Sequence, residues 1–283
     1  MWTGTVSTRG FVVALAVLST LTTGSMCGAP APSSHPAASV SSVRKEIILE
    51  LVSTAENSTK SWRSSYGYIA DIGDGQGYTA GIVGWCSGTG DMLTLVRRYS
   101  LTNPGNLLQK YLPRLQRVMD APYDRRPALS RTLLGRAFTT DWAAAARTTP
   151  FQAVQRAERD RAYWDPAMVD ATRDRLSPLG QYIYYDISVN HGPGSSSESF
   201  GGIVARVKAD GHLPPAQGGD EIAYLSAIVA ARDAVLRTSG TYQVDGRSSI
   251  AGTFLRQKRL DLALPLRWSV YGDSYAIATP PAP

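Results

Sequence analysis

Glu56 and Asp74 are two carboxylates on different local supports, and Thr79 follows shortly after the second. Glu56 lies in Ala-Glu-Asn-Ser, at the end of an apolar-patterned segment, and Asp74 lies in the glycine-punctuated run Ile-Gly-Asp-Gly-Gln-Gly. Two carboxyl groups held apart across a gap can hydrolyse an acetal. One protonates the leaving oxygen, and the other activates water or attacks the sugar carbon. Other chemistries lack their parts. A Ser-His-Asp triad would have to use His191 or His212, since the third histidine, His35, is in the N-terminal leader, and there is no Gly-x-Ser-x-Gly turn. Histidine and cysteine are too few for a zinc cage, so no metal and no cofactor is expected. A calcium loop needs acids at alternate positions before its glycine, which Asp71 and Asp74 do not supply. There is no P-loop, no HExxH and no dinucleotide fingerprint. The acids near aromatic or glycine-rich segments are Glu56, Asp71, Asp74, Asp91 and Asp186. Every protein has Asp and Glu, so on chemistry alone this pattern is not specific.

The elements that must position these acids follow from periodicity. Ile47, Ile48, Leu51, Val52 and Ala55 form one apolar stripe at helical spacing, with Glu56 at its edge. A carboxyl there is partly desolvated, which favours its neutral form. The plain alternative is a solvated C-terminal glutamate, but an acid at the negative end of a helix is unfavourable. Short aromatic and β-branched runs on either side of Gly-Asp-Gly-Gln-Gly predict a small antiparallel sheet with Asp74 in the connecting turn. An ordinary turn aspartate is the competing reading for Asp74. From Gly88 onward the pattern is mostly helical. A helix begins near Asp91, another runs through 104–119 with a proline kink, and residues 120–135 read as a polar surface excursion. Helical pattern then continues to a strong stop at His191-Gly192-Pro193-Gly194, a long helix starts near Asp220, and the tail is extended.

The chain has 283 residues, 43% hydrophobic and 18% charged, enough for a globular core. Its formal charge of +6 suits a nucleic-acid binder, but Lys and Arg are scattered and interleaved with acids, so they read as solvated helix faces, and no nucleic-acid partner is expected. Arg9 before the short apolar run Phe-Val-Val-Ala-Leu-Ala-Val-Leu predicts a secretory signal rather than a membrane span. Residues 1–38 are accordingly assigned to the signal and a Pro/Ala/Ser-rich leader, and 39–283 to a secreted, monomeric body long enough for one two-lobed domain or two small domains. Gly24-Ser25-Met26 makes a poor lipobox before Cys27. Once Cys27 is lost, Cys86 is alone, without an internal disulfide, and reads as a small buried hydrophobe.

Longer motifs narrow the reading. The order AENS, YGYIADIGDGQGYTAGI, CSGTGDML, QYIYYD, HGPG, FGGI, PAQGGDE, LDL, PLRW and YGDSY, running from about Lys45 to Tyr275, resembles the bacterial secreted chitosanases of glycoside hydrolase family 46. The resemblance implies a single catalytic domain over 39–283, with an α+β, mostly α-helical, lysozyme-like fold of two lobes, a small sheet in one and a cleft between them. It also implies endo-acting, inverting hydrolysis of β-1,4 links between glucosamine units of chitosan. Matched residue by residue, it makes Glu56 the general acid, Asp74 the general base and Thr79 a holder of the attacking water. Asp91 matches a carboxylate that binds a substrate amine, and Ser58, Tyr68, Gly84, His191, Gly192 and Pro193 match positions that touch sugar. Asp186 and Arg232 match an ion-pair network behind the acid, with Arg247 as its second arginine. An arginine beside Glu56 would favour the ionised acid, so both arginines are expected to be paired with Asp186.

The chain departs from the family pattern at Gln76, where arginine is frequent, and at Ala70 and Ser239, where acids are frequent. The charge of +6 also opposes a cationic polymer at long range, so local acids have to prevail within a Debye length of roughly 8 Å. Trp62, Trp142 and Trp268 read as core packing before sugar stacking. Two rival readings stand beside the chitosanase: a lysozyme-like peptidoglycan hydrolase, and a non-catalytic carbohydrate-binding relative.

Overall fold

The computed structural model describes residues 40–282. The leader assigned to 1–38, with Cys27 and the cleavage site, lies outside them. Helix α1 (Ser42–Asn57) is followed by strands β1 (Ile69–Asp71), β2 (Tyr78–Ala80) and β3 (Trp85–Cys86). Next come α2 (Asp91–Thr102), α3 (Leu112–Met119), α4 (Arg126–Ala145), α5 (Thr149–Arg159), α6 (Asp165–Arg173) and α7 (Pro178–His191). The chain ends with α8 (Phe200–Ala209), α9 (Glu221–Thr238), α10 (Ser248–Arg256), β4 (Leu266–Val270) and β5 (Asp273–Ile277).

These elements sort into two groups. The antiparallel sheet β1-β2-β3 packs with α2, α3, α4 and α5. Helices α6, α8, α9 and α10 gather around α7, and the β4–β5 hairpin lies on α10. Helix α7 is buried on nearly every side, from Leu179 through Asn190, with Asp186, Ser188 and Asn190 as polar residues inside it. Helix α1 packs on α7, and a π-helical turn at Asp160–Trp164 carries the chain from α5 into α6 between the groups. Asp220 caps α9 by accepting the Ala223 N–H at 2.8 Å. Trp62, Trp142 and Trp268 are all buried in the core. No helix among the described residues is long and apolar enough to cross a membrane.

Two local expectations are corrected. The segment read as a surface excursion does lie largely at the surface, but it is helical from Arg126 onward, with only a short 3-10 turn at Tyr123–Arg125 before it. Arg126 explains the difference. Its guanidinium donates at 3.0 Å to the carbonyls of Ala121, Gly88 and Met119, so this charge stitches loops together rather than facing water. The proline expected to kink a helix over 104–119 instead starts one. Pro113 occupies the first turn of α3, where its missing N–H costs no hydrogen bond. The helix break falls in α4, where Gly135 adopts φ 60° and ψ −166°.

Candidate active site

Glu56 occupies the last turn of α1, which ends where Ser58 takes a left-handed conformation (φ 50°). The turn is anchored from the far end of the chain. Trp268 Nε1 donates to Thr54 Oγ1 at 3.0 Å, and Lys60 Nζ donates to the Ala276 carbonyl at 2.6 Å. The Glu56 side chain is 20% exposed. Arg247 Nη1 donates to Glu56 Oε1, while Arg247 Nε donates to Asp186 Oδ1 at 2.7 Å. Arg232 Nη1 donates to Asp186 Oδ2. Asp186, Arg232 and Arg247 are all buried. The expected pairing with Asp186 therefore holds for both arginines, but Arg247 also reaches Glu56. Burial works against the charge on Arg247, yet the Asp186 and Glu56 carboxylates more than offset it and hold its pKa above the ordinary value.

Asp74 sits in the turn between β1 and β2, as expected. Gly73, Gly75 and Gly77 all adopt positive φ (76°, 82° and 80°), so three left-handed residues alternate with Asp74 and Gln76. Gly77 is also needed for space, since a Cβ there would run into Ser87 Oγ. The turn fixes the carboxylate by one oxygen. Asp74 Oδ1 accepts the Gln76 N–H at 2.8 Å, whereas Oδ2 is buried without a protein partner. Burial, then the Asp74 charge, push the Tyr68 hydroxyl above its ordinary pKa, which places Tyr68 beside Asp74 in its neutral form.

Thr79 on β2 is buried, and its Oγ1 lies 3.4 Å from Cys86 Sγ. The Cys86 thiol donates to the Gly84 carbonyl at 3.2 Å. Gly84 (φ +72°) lies against Thr79, where a Cβ would meet Thr79 Cγ2 at 3.2 Å. Burial, then the Asp91 charge, push the Cys86 thiol up to about 12. Asp91 Oδ1 accepts from Cys86 N at 2.9 Å, Thr89 Oγ1 at 2.5 Å and Met92 N at 3.0 Å. Its position thus holds the β3 loop and the N-terminus of α2, where the helix dipole favours an acid. Burial pushes the Asp91 carboxyl up to about 6 despite these hydrogen bonds. Asp71, the other acid of the turn, accepts Gly73 N at 3.0 Å and pairs with Arg131.

The neighbourhood of Glu56 reaches the turn that follows β2. Glu56, Val52 and Asn57 of α1 line one pocket with Ile82 and Val83 of the β2–β3 turn and with Tyr185 of α7. Tyr163 feels the charges of both Asp91 and Glu56. At the end of α7, His191 is half-buried and its Nε2 has no protein partner, while Gly192 (φ 76°) and exposed Pro193 turn the chain away. Burial, then the charges of Arg232 and Arg247, push His191 down to about 4. It shares a pocket with Asn190, Glu198, Ser239 and Thr241. Ser58 is exposed, two positions beyond Glu56. Sequence reasoning missed Tyr163, Tyr185 and Tyr271 around the Glu56–Arg247 pair. The one local signal was Tyr185 directly before Asp186. Among the described residues, no group of three or more His, Cys, Asp or Glu side chains is placed to hold a metal ion.

Comparison with known proteins places this site in a family. The model of glycosyl hydrolase family 46 matches residues 50–266. A chitosanase of Streptomyces sp. (strain N174) is 50% identical over 237 residues, covering 83% of this chain and 82% of that protein. A solved structure of chitosanase OU01 with substrate is 46% identical, with a TM-score of 0.78, over 84% of this chain and 97% of that one. A family 46 chitosanase of Gynuella sunshinyii in complex with chitotetraose is 30% identical, with a TM-score of 0.75, over 85% of this chain and all (100%) of that one. With its lysozyme-like fold and a family match spanning most of its length, the chain belongs to glycosyl hydrolase family 46.

Proposed function

We propose that the protein is an exported endo-chitosanase that cleaves β-1,4 links between glucosamine units with inversion, using Glu56 as general acid and Asp74 as general base. The observation that carries the assignment is the asymmetry of Asp74. One oxygen is tied to the Gln76 N–H, and the other is buried with no protein partner, beside Tyr68 and in the turn that leads into the strand carrying Thr79. A carboxylate held this way can take a proton from water without swinging. Thr79 Oγ1 then orients the water, while Glu56, carried by a different group of elements, protonates the glycosidic oxygen. Inversion needs room for water between base and sugar, with carboxyls roughly 6.5–9.5 Å apart or more. Two acids mounted on separate supports suit that demand better than two on one element.

Arg247 gives the acid its counter-charge. Its guanidinium is shared, bonding Asp186 through Nε and Glu56 through Nη1 at once, so the acid receives only part of its charge. Protonated glucosamine rings carry positive charge, so carboxylates along the cleft, among them Glu198 and Asp74 itself, favour this polymer over neutral ones, and Asp91 is assigned to binding a substrate amine. Tyr68, Ser58, Gly84 and the His191-Gly192-Pro193 corner are assigned to sugar contact.

The test is incubation with highly deacetylated chitosan, with product anomers followed by NMR at early time. The α-anomer appearing first supports inversion and a water activated by Asp74. The β-anomer first means retention and removes Asp74 from that role. Clearing of cell walls without cleavage of chitosan would move the assignment to a peptidoglycan hydrolase.

A further inference from the structure

The chain of polar contacts behind Glu56 does not stop at Arg232. Arg232 Nη1 holds Asp186, and Nη2 donates to Ser248 Oγ. Ser248 in turn donates its hydroxyl proton to Asp233 Oδ1. A serine hydroxyl has one proton and can also accept, and here it does both, so its orientation is fixed from two sides. Ser248 is the first residue of α10 and directly follows Arg247, while Asp233 directly follows Arg232 on α9. The relay therefore ties the two arginine-bearing backbones together. Its five side chains run Asp233, Ser248, Arg232, Asp186 and Arg247, and it ends on Glu56 Oε1.

We propose that Ser248 and Asp233 are positioning residues for the general acid, acting through Arg232 and Asp186 on the way Arg247 is shared. The inference rests on Glu56 being that acid. With the relay intact, Arg232 spreads its donors over Asp186 and Ser248, and Asp186 keeps one oxygen for Arg247. Arg232 Nε is already buried without a partner, so without the Ser248 oxygen a second donor loses its acceptor, and both Nη groups turn toward Asp186. Arg247 then loses its hold on Asp186 and settles on Glu56, where an undivided counter-charge works against keeping a proton on the acid. The loss falls on the step that needs a proton and not on substrate binding, which involves neither residue.

The test compares two substrates, chitosan and an aryl β-glycoside of a glucosamine oligomer, whose phenolate leaving group departs without a proton. Ser248→Ala is expected to lower kcat on chitosan about tenfold with KM unchanged, a fraction of the 10²–10⁴-fold supplied by a general acid. The same variant is expected to cleave the aryl substrate at close to the wild-type rate, and Ser248→Thr, which keeps the hydroxyl, to restore chitosan cleavage. Equal loss on both substrates, or no loss on chitosan, overturns the proposal. Should Ser248→Ala fail to fold, Asp233→Leu carries the same test, since it removes the acceptor that orients the Ser248 hydroxyl toward Arg232. Glu56→Gln is run alongside. If it still cleaves chitosan, the acid assignment fails and this inference with it. If it is inactive on chitosan while Ser248→Ala is unimpaired, only the inference fails.

Discussion

Trp268 Nε1 donates to Thr54 Oγ1 at 3.0 Å, joining the C-terminal hairpin to the helical turn that presents Glu56. Both groups are buried, and Thr54 passes the contact on by donating to the Leu51 carbonyl at 2.7 Å. The ring also stacks on Tyr275 of β5, with centroids 5.8 Å apart. The acid therefore rests on a support assembled from opposite ends of the sequence.

Trp268→Phe keeps the stacking and removes the hydrogen bond, leaving a buried hydroxyl with one partner fewer. A loss of about 1–2 kcal/mol in unfolding free energy is expected, together with a several-fold fall in kcat from looser placement of Glu56. Urea melts and steady-state kinetics on the same preparations check both. A stability loss with undiminished kcat would mean that the hairpin does not position the acid.

Arg247 makes a different kind of contribution. It is buried between Asp186 and Glu56, and Arg247→Ala leaves Asp186 with Arg232 alone in a dry surround. Removing one partner from a buried ion-pair network typically costs about 3–5 kcal/mol, and that loss is expected here. Arg247→Lys keeps the charge but not the fork that reaches two carboxylates, so it should recover part of the stability and little of the activity. Chemical denaturation of the three proteins, with turnover of chitosan, separates the two effects.

Two titrating groups bend the pH dependence of stability in opposite senses. His191 is pushed down to about 4, so as pH falls from about 6.5 toward 4 the unfolded chain takes up a proton that the folded residue refuses, and stability is lost. Asp91 is raised from 3.8 to about 6, so the folded chain holds a proton that the unfolded one releases, and its contribution is lost as pH rises through that window. Against the wild type, His191→Gln should therefore be relatively more stable near pH 4.5 than near pH 7. Asp91→Asn, which keeps an acceptor oxygen for the loop, should be relatively more stable near pH 7 than near pH 4.5. Urea unfolding at the two pH values decides; the same difference at both pH values for either variant contradicts its shift.

What the sequence made legible was local. The stripe from Ile47 to Ala55 gave α1 and the edge position of Glu56, and the glycines around Asp74 gave its turn, because each rests on neighbours a few positions away. The long motifs carried the family and its fold. Contacts between distant segments were not legible from local pattern, and the pairing of Asp186 with Arg232 and Arg247 came only through the family resemblance. Glu56 and Arg247 are 191 positions apart, and nothing near either residue shows that one guanidinium serves two carboxylates. Arg126 misled for a related reason. A charged residue in a polar stretch reads as solvated, and only the fold shows three carbonyls converging on it.

Ser239 offers the most direct test of how the cleft reads charge. It ends α9 and shares a pocket with Asn190, His191, Glu198 and Thr241. An acid there would add a second carboxylate beside Glu198, facing a polymer that carries one ammonium per fully deacetylated ring. Two costs oppose it. A carboxylate at a helix C-terminus is unfavourable by about 0.3–1 kcal/mol, and the 2.8 Å contact between Ser239 Oγ and Thr241 Oγ1 is lost. Ser239→Asp is therefore expected to lower the melting temperature by a few degrees. If the pocket takes a glucosamine ring, KM for highly deacetylated chitosan should fall about five-fold, equivalent to roughly 1 kcal/mol. The gain should shrink as salt rises, because the new charge remains within reach of solvent ions. It should also shrink on partly acetylated polymer, where fewer rings bear an ammonium. A KM that does not respond to the substitution, to salt or to acetylation would place the His191 pocket outside the path of the sugar chain.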